Sequence, residues 1–253
     1  MELTLFCDKY IISEYLRIKH ILDSMPRYKL GMHKGFHVIR AYSGRGNEKS
    51  RKTANENGRT YIEMQKGLSM FNEYTKLLNA FFGELKRRGL TIPDDFSFLN
   101  EVSPYDTCLW KEVEPCSNPR EIQTEYYDDY GNKVRSRGEM FIGNALKDLG
   151  LEAKYEPSIV IKGGRKIHPD YIFPVEIIDR CFFIEFMGMC DSEEYINHNY
   201  GRIDEYMRNG ILPNRDLILI CGTSKWIPTE ECIKRIIASF INNAVERVYN
   251  QKF

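Results

Sequence analysis

Apolar positions recur along the chain with several different periods, and each period predicts an element. Over 9–24, "KYIISEYLRIKHILDS", Ile11, Ile12, Tyr15, Leu16, Ile18 and Leu22 fall near helical spacing. Short alternating stretches from Tyr28 to Tyr42, with Gly31 and Gly35, predict a β-hairpin. The polar, glycine-punctuated "SGRGNEKSRKTANENG" reads as a loop. Residues 60–88 predict a long amphipathic helix that closes on "KRRG", with cations in its last turn and Gly89 as its stop. Residues 91–133 lack a period and are broken by Pro93, Pro104, Pro115 and Pro119, so they read as an irregular linker.

From 134 the pattern is regular. "SRGEMFIGNALKDLGL" (136–151) predicts a helix with Phe141, Ile142, Ala145, Leu146 and Leu149 on one side. "YEPSIVIK" reads as a strand, "GG" as a tight turn and "KIHPDYIF" as the returning strand. "CFFIEFM" is apolar on both faces, so it is expected to be a central strand. A helix over Ser192 to Asn209, a buried strand "DLILIC" and a last helix over 229–248 complete the order α-β-β-β-α-β-α. The expected fold is α/β (α+β): a mixed sheet with packed helices over 134–253, preceded by a smaller α+β module over 1–90.

Composition narrows the class. The chain has 253 residues, 42% of them hydrophobic and 28% charged, which is a globular balance. No stretch approaches the roughly 18–20 apolar residues of a membrane span, so no membrane partner is expected. The seven cysteines form no CxxC pair, and "MELTLFCDKY" lacks the start of a secretory signal. Reduced thiols in the cytoplasm are expected rather than a zinc site or disulfides.

Formal net charge is zero, but it is unevenly spread. Residues 26–60 carry nine cations against Glu48 and Glu56, about +7. Such a cluster suits an anionic partner, with nucleic acid foremost, or else a solvated basic loop. Lys29, Lys34, Arg40, Arg45, Lys49, Arg51 and Lys52 are its candidate phosphate contacts, and Arg137 is a further one. The sequence sets no oligomeric state.

Three acids sit where chemistry is possible: Glu139 on the helix, Asp170 after Pro169 and Glu185 inside "FFIEFM". A lone ionised carboxylate in a central strand costs several kcal/mol unless it is neutralised. Adjacent antiparallel strands can set Asp170 beside Glu185, and a divalent metal between them is the natural neutraliser. Such a metal polarises a phosphodiester and acidifies an attacking water. The structural alternatives are an ion pair of Glu185 with Arg202 or Arg180, and a capping box of Ser136 with Glu139. If the carboxylates of Asp170 and Glu185 diverge, or an arginine fills the space between them, the metal reading fails.

"HPDY…FFIEF" with an upstream helical Glu resembles the PD-(D/E)XK nuclease superfamily, whose core is the restriction-endonuclease-like αβββαβ fold. The string "VRSRGE…GGRKIHPDYIF…FFIEFMGMCDSEEY…YMRNGI…DLILI", over about 134–240, is similar to a narrower bacterial and phage-type group within it. The resemblance implies a metal-dependent DNA endonuclease or exonuclease using Mg²⁺ or Mn²⁺. It implies Asp170, Glu185 and the carbonyl of Phe186 as ligands, with Glu139 completing the site. The chain departs from the superfamily at Met187, which stands where the lysine is usual. Arg202 and Tyr206 match the spacing of a QxxxY pattern on the next helix, and Arg202 or Lys166 is the candidate replacement charge. The competing reading is a nuclease-fold protein that binds nucleic acid without cutting it.

Overall fold

The computed structural model describes residues 2–25, 27–33, 36–42, 48–53, 59–92, 105–161 and 164–250; the side chains of 27–61, 64 and 249–250 lie outside that description. The chain divides into two compact units, Ile11–Phe96 and Met1–Tyr10 with Ser97–Phe253.

The smaller unit holds α1 (Asp8–Ser24) from Ile11 onward, β1 (Arg27–His33), β2 (Phe36–Tyr42), β3 (Glu48–Thr53) and α2 (Arg59–Arg88). The expected hairpin is β1–β2, paired from Arg27↔Tyr42 to His33↔Phe36. The expected loop over 43–58 contains β3, which pairs antiparallel with β2 and ends the sheet order β1-β2-β3. An edge strand can be lysine-rich and polar because its ladder bonds come from the backbone. Polarity alone therefore misreads it as a loop. In α2, Glu84 pairs with both Arg87 and Arg88, at 2.6 Å each, and the two guanidinium groups hold its carboxyl down at about 2.

The larger unit holds α3 (Thr107–Glu112), β4 (Tyr126–Tyr127), β5 (Lys133–Val134), α4 (Arg137–Asp148), β6 (Lys154–Tyr155), β7 (Ile159–Val160) and β8 (Lys166–Ile167). It continues with β9 (Tyr171–Val175), β10 (Arg180–Met187), α5 (Glu193–Arg208), β11 (Leu217–Cys221) and α6 (Glu230–Asn250). Residues 105–133, expected as linker, are instead folded into this unit. Asp106 caps α3, Asp179 accepts from the Thr107 hydroxyl at 2.5 Å, and Lys154 donates to the carbonyls of Trp110 and Val113. These anchors are polar and long-range, so they leave no period in the sequence.

The main sheet has the order β11-β10-β9-β6. β10 runs parallel to β11 and antiparallel to β9, and β6 is antiparallel to β9. All eight residues of β10 are buried, as a central strand requires. Two expected strands are each broken in two. "YEPSIVIK" divides into β6 and β7 at Glu156, whose φ is +41°, and Pro157; "KIHPDYIF" divides into β8 and β9 at Pro169. Proline cannot donate to a ladder, and the two inner pieces, β7 and β8, bond to each other as a separate hairpin.

Alternation along β10 sorts its side chains between two layers. Phe182 meets Phe240 of α6 edge-on at 5.2 Å, and α4 and α6 pack together on that side. Cys181 and Phe183 join Leu217, Tyr206 and Ile211 in a core cluster on the other side. Glu185 shares the parity of Phe183, so it faces α5. Among the described residues no helix is long and apolar enough to cross a membrane.

Candidate active site

The β9–β10 ladder runs from Arg180↔Val175 to Ile184↔Tyr171. Asp170 leaves it one step further on, level with Glu185, which is the adjacency expected from the sequence. The Phe186 N–H donates to Asp170 Oδ2 at 2.6 Å. No protein donor takes the other Asp170 oxygen among the described residues, and Asp170 lines a cavity of about 580 Å³. Glu139, Phe186, Arg202, Tyr206 and Lys166 line the same cavity. Elements separated by many residues in sequence therefore bring five of the six expected catalytic residues to this cavity, and the sixth, Glu185, bonds to Arg202 and Tyr206 of its lining.

Glu139 is held from three directions. Its Oε1 accepts from the Ser136 hydroxyl at 2.9 Å, and its Oε2 accepts from the Arg135 N–H at 2.9 Å and the Tyr155 hydroxyl at 2.7 Å. Ser136 Oγ in turn accepts from the Glu139 N–H at 3.2 Å, so Ser136 caps α4, but Glu139 reaches back to the N–H of Arg135 rather than to that of Ser136, and the expected capping box is only half formed. The carboxylate that starts α4 is thus also a wall of the cavity.

Glu185 is 3% exposed. Arg202 Nη2 lies 2.8 Å from each of its oxygens, and the Tyr206 hydroxyl donates to Oε1. Arg202 Nη2 also reaches the His168 carbonyl at 3.3 Å. The neutralising groups in this structure are therefore an arginine and a phenol, the ion pair that the sequence allowed as the structural alternative. The guanidinium bonds to Glu185 and to neither oxygen of Asp170. Among the described residues no group of three or more His, Cys, Asp or Glu side chains is arranged to close around a metal.

The electrostatics show a site with a surplus of acids. Burial pushes Glu185 up to about 7, against the pull of Arg202 and Tyr206, while Glu139 and Glu156 push it higher. Burial also raises Asp170 well above the usual carboxylate range, with Glu185 and Glu139 adding to the rise. Glu139 is raised by burial too, opposed by its Tyr155, Arg135 and Ser136 donors. Each acid makes ionisation of the others harder. Hard oxygen donors with a local deficit of positive charge suit Mg²⁺ or Mn²⁺. Asp170 has an oxygen free to face such an ion, whereas both oxygens of Glu185 are taken by Arg202.

The remaining expected residues are less central. Lys166 is exposed on β8 at the rim of the cavity. Arg137 is exposed, with its guanidinium 5.8 Å from the Phe141 ring centre. Met187 is buried at the end of β10 and supplies no charge. Lys34 and Arg45 lie outside the described residues, as do the side chains of Lys29, Arg40, Lys49, Arg51 and Lys52.

Sequence reasoning missed a hub beside the acids. Arg135 donates to Glu156 Oε1 at 2.7 Å and to the carbonyls of Arg120 and Glu121 at 2.6 and 2.9 Å. Asn118 donates to Glu156 at 3.0 Å. The hub pins segment 118–121, whose Asn118, Pro119 and Arg120 wall the cavity. Its one sequence signal is the position of Arg135 within "VRSRGE". Compared with known proteins, the chain matches no family model, no curated protein and no solved structure.

Proposed function

We propose that the larger unit is a metal-dependent nuclease of PD-(D/E)XK type, acting in the cytoplasm on phosphodiester bonds of DNA. One observation carries this reading: Glu139, Asp170, Arg202 and Tyr206 line one cavity, Glu185 bonds to Arg202 and Tyr206 behind it, and α4, the main-sheet strands β6, β9 and β10, α5 and β11 follow one another in the order αβββαβ. That order and those positions are what the resemblance implies.

Asp170, Glu185 and the Phe186 carbonyl would hold Mg²⁺ or Mn²⁺, with Glu139 beside them. When bound, the metal supplies Lewis acidity toward the phosphate and a more acidic water. The protein side chains do the rest. Asp170 is oriented by the Phe186 N–H. Tyr206 is fixed in the core and orients Glu185. Arg202 supplies the positive charge that Met187 cannot, and steadies the phosphate. Lys166 adds charge at the rim. The basic strands of the smaller unit would track backbone phosphates. Their backbone register sets Lys29 opposite Arg40 and Arg40 opposite Arg51. Like charges in cross-strand positions are unfavourable without a counter-anion.

The test is cleavage of plasmid and linear DNA in Mg²⁺, Mn²⁺ or EDTA. Metal-dependent cutting is expected, slowed at least about a hundredfold in both Asp170→Ala and Glu185→Ala. Arg202→Ala is expected to slow cutting far more than it weakens DNA binding. The Arg202–Glu185 pair together with Met187 favours one other reading, binding without cutting. DNA binding with no cleavage in any metal would establish that reading and remove the nuclease.

A further inference from the structure

Glu185 has one rigid partner and one loose partner. Tyr206 is 2% exposed and packed in the core. Arg202 has a side chain 43% exposed, against 3% for Glu185. Its grip on both carboxylate oxygens comes from Nη2 alone, not from the two-nitrogen fork that makes arginine–carboxylate pairs strong. The same nitrogen is shared with the His168 carbonyl at a long 3.3 Å. Beside it, Asp170 presents an oxygen without a protein donor to the cavity that Arg202 also lines.

A guanidinium and a divalent cation cannot share Glu185 at close range without strong repulsion. We infer that Arg202 is a placeholder cation: it neutralises Glu185 when no metal is bound, yields it to a divalent metal, and then turns to the substrate phosphate. This inference rests on the metal-dependent reading above. It adds an order of events, because the phosphate-binding charge becomes free only after the metal has arrived. It also accounts for a buried acid that has an arginine partner here and a proposed metal partner in the working state.

The experiment titrates Mn²⁺ alone into the full chain by calorimetry at pH 8, for the wild type and Arg202→Gln. In parallel, mass spectrometry follows phenylglyoxal labelling of Arg202 in the wild type, with and without Mn²⁺. Arg202→Gln is expected to bind Mn²⁺ at least about tenfold more tightly, the scale of removing a nearby like charge at a partly exposed site. Mn²⁺ is expected to speed Arg202 labelling several-fold, and inorganic phosphate is expected to reverse that gain only when Mn²⁺ is present. If Mn²⁺ binds the wild type and Arg202→Gln equally and labelling does not change, the placeholder is overturned while the metal site stands. If neither protein binds Mn²⁺, the metal-dependent reading itself falls. Should Arg202→Gln fail to fold, the wild-type labelling decides.

Discussion

Glu139 and Arg202 line one cavity, and they are held very differently. On the α4 side Glu139 accepts from Ser136, Arg135 and Tyr155, and Arg135 is itself locked to Glu156. On the α5 side Arg202 is held by one nitrogen and is nearly half exposed. The α4 and β9–β10 side is a floor set by the fold. The α5 side is a wall with one exposed charge held through a single nitrogen. On the proposed reading, the floor keeps the geometry of the buried acids while Arg202 supplies their counter-charge until a metal binds. On that reading the rearrangement on metal binding falls on Arg202 rather than on the acids.

The largest effect that would break this comparison concerns the floor's protonation. Glu185, raised to about 7 in the fold from its ordinary 4.5, binds protons more tightly folded than unfolded. Its contribution to stability is therefore complete below the unfolded value and is lost as pH rises through about 7. Urea unfolding in EDTA should show the wild type losing about 3 kcal/mol more than Glu185→Gln across that window. Equal slopes for the two proteins would mean that Arg202 already neutralises Glu185 fully.

A smaller effect tests the rigidity of the floor. A Cβ on Gly138 would stand 2.1 Å from the Phe186 ring, inside any tolerable contact. Gly138→Ala should cost about 2 kcal/mol through forced repacking. It should also displace Phe186, whose N–H orients Asp170, and so reduce cleavage beyond any loss of folded protein. An unchanged melting temperature would show that this floor yields as readily as the wall.

Much of this unit is legible in the sequence. Period 2 with a fully apolar face pair marks β10 as central, and helical period marks α4, α5 and α6. The ordered acids in "SRGE", "HPDY" and "FFIEF" locate the cavity. What is not legible depends on tertiary partners. Glu156 adopts a left-handed backbone that splits a predicted strand, and Arg135 reaches carbonyls at 120 and 121. Neither feature has a local period. Likewise, α3 and the residues after it are anchored by Lys154 and Asp179 from far along the chain, so they read as linker. The partner of Glu185 was legible only as a choice between arginine and metal, because spacing on α5 gives the neighbour but not the occupancy.

The most direct measurement is an anomalous difference map from crystals of the full chain grown with Mn²⁺ at pH 8. The account predicts a manganese peak bonded to Asp170 and Glu185, with the Arg202 guanidinium withdrawn from Glu185 and Tyr206 still in place. No peak at those carboxylates, with Arg202 still seated on Glu185, would contradict it.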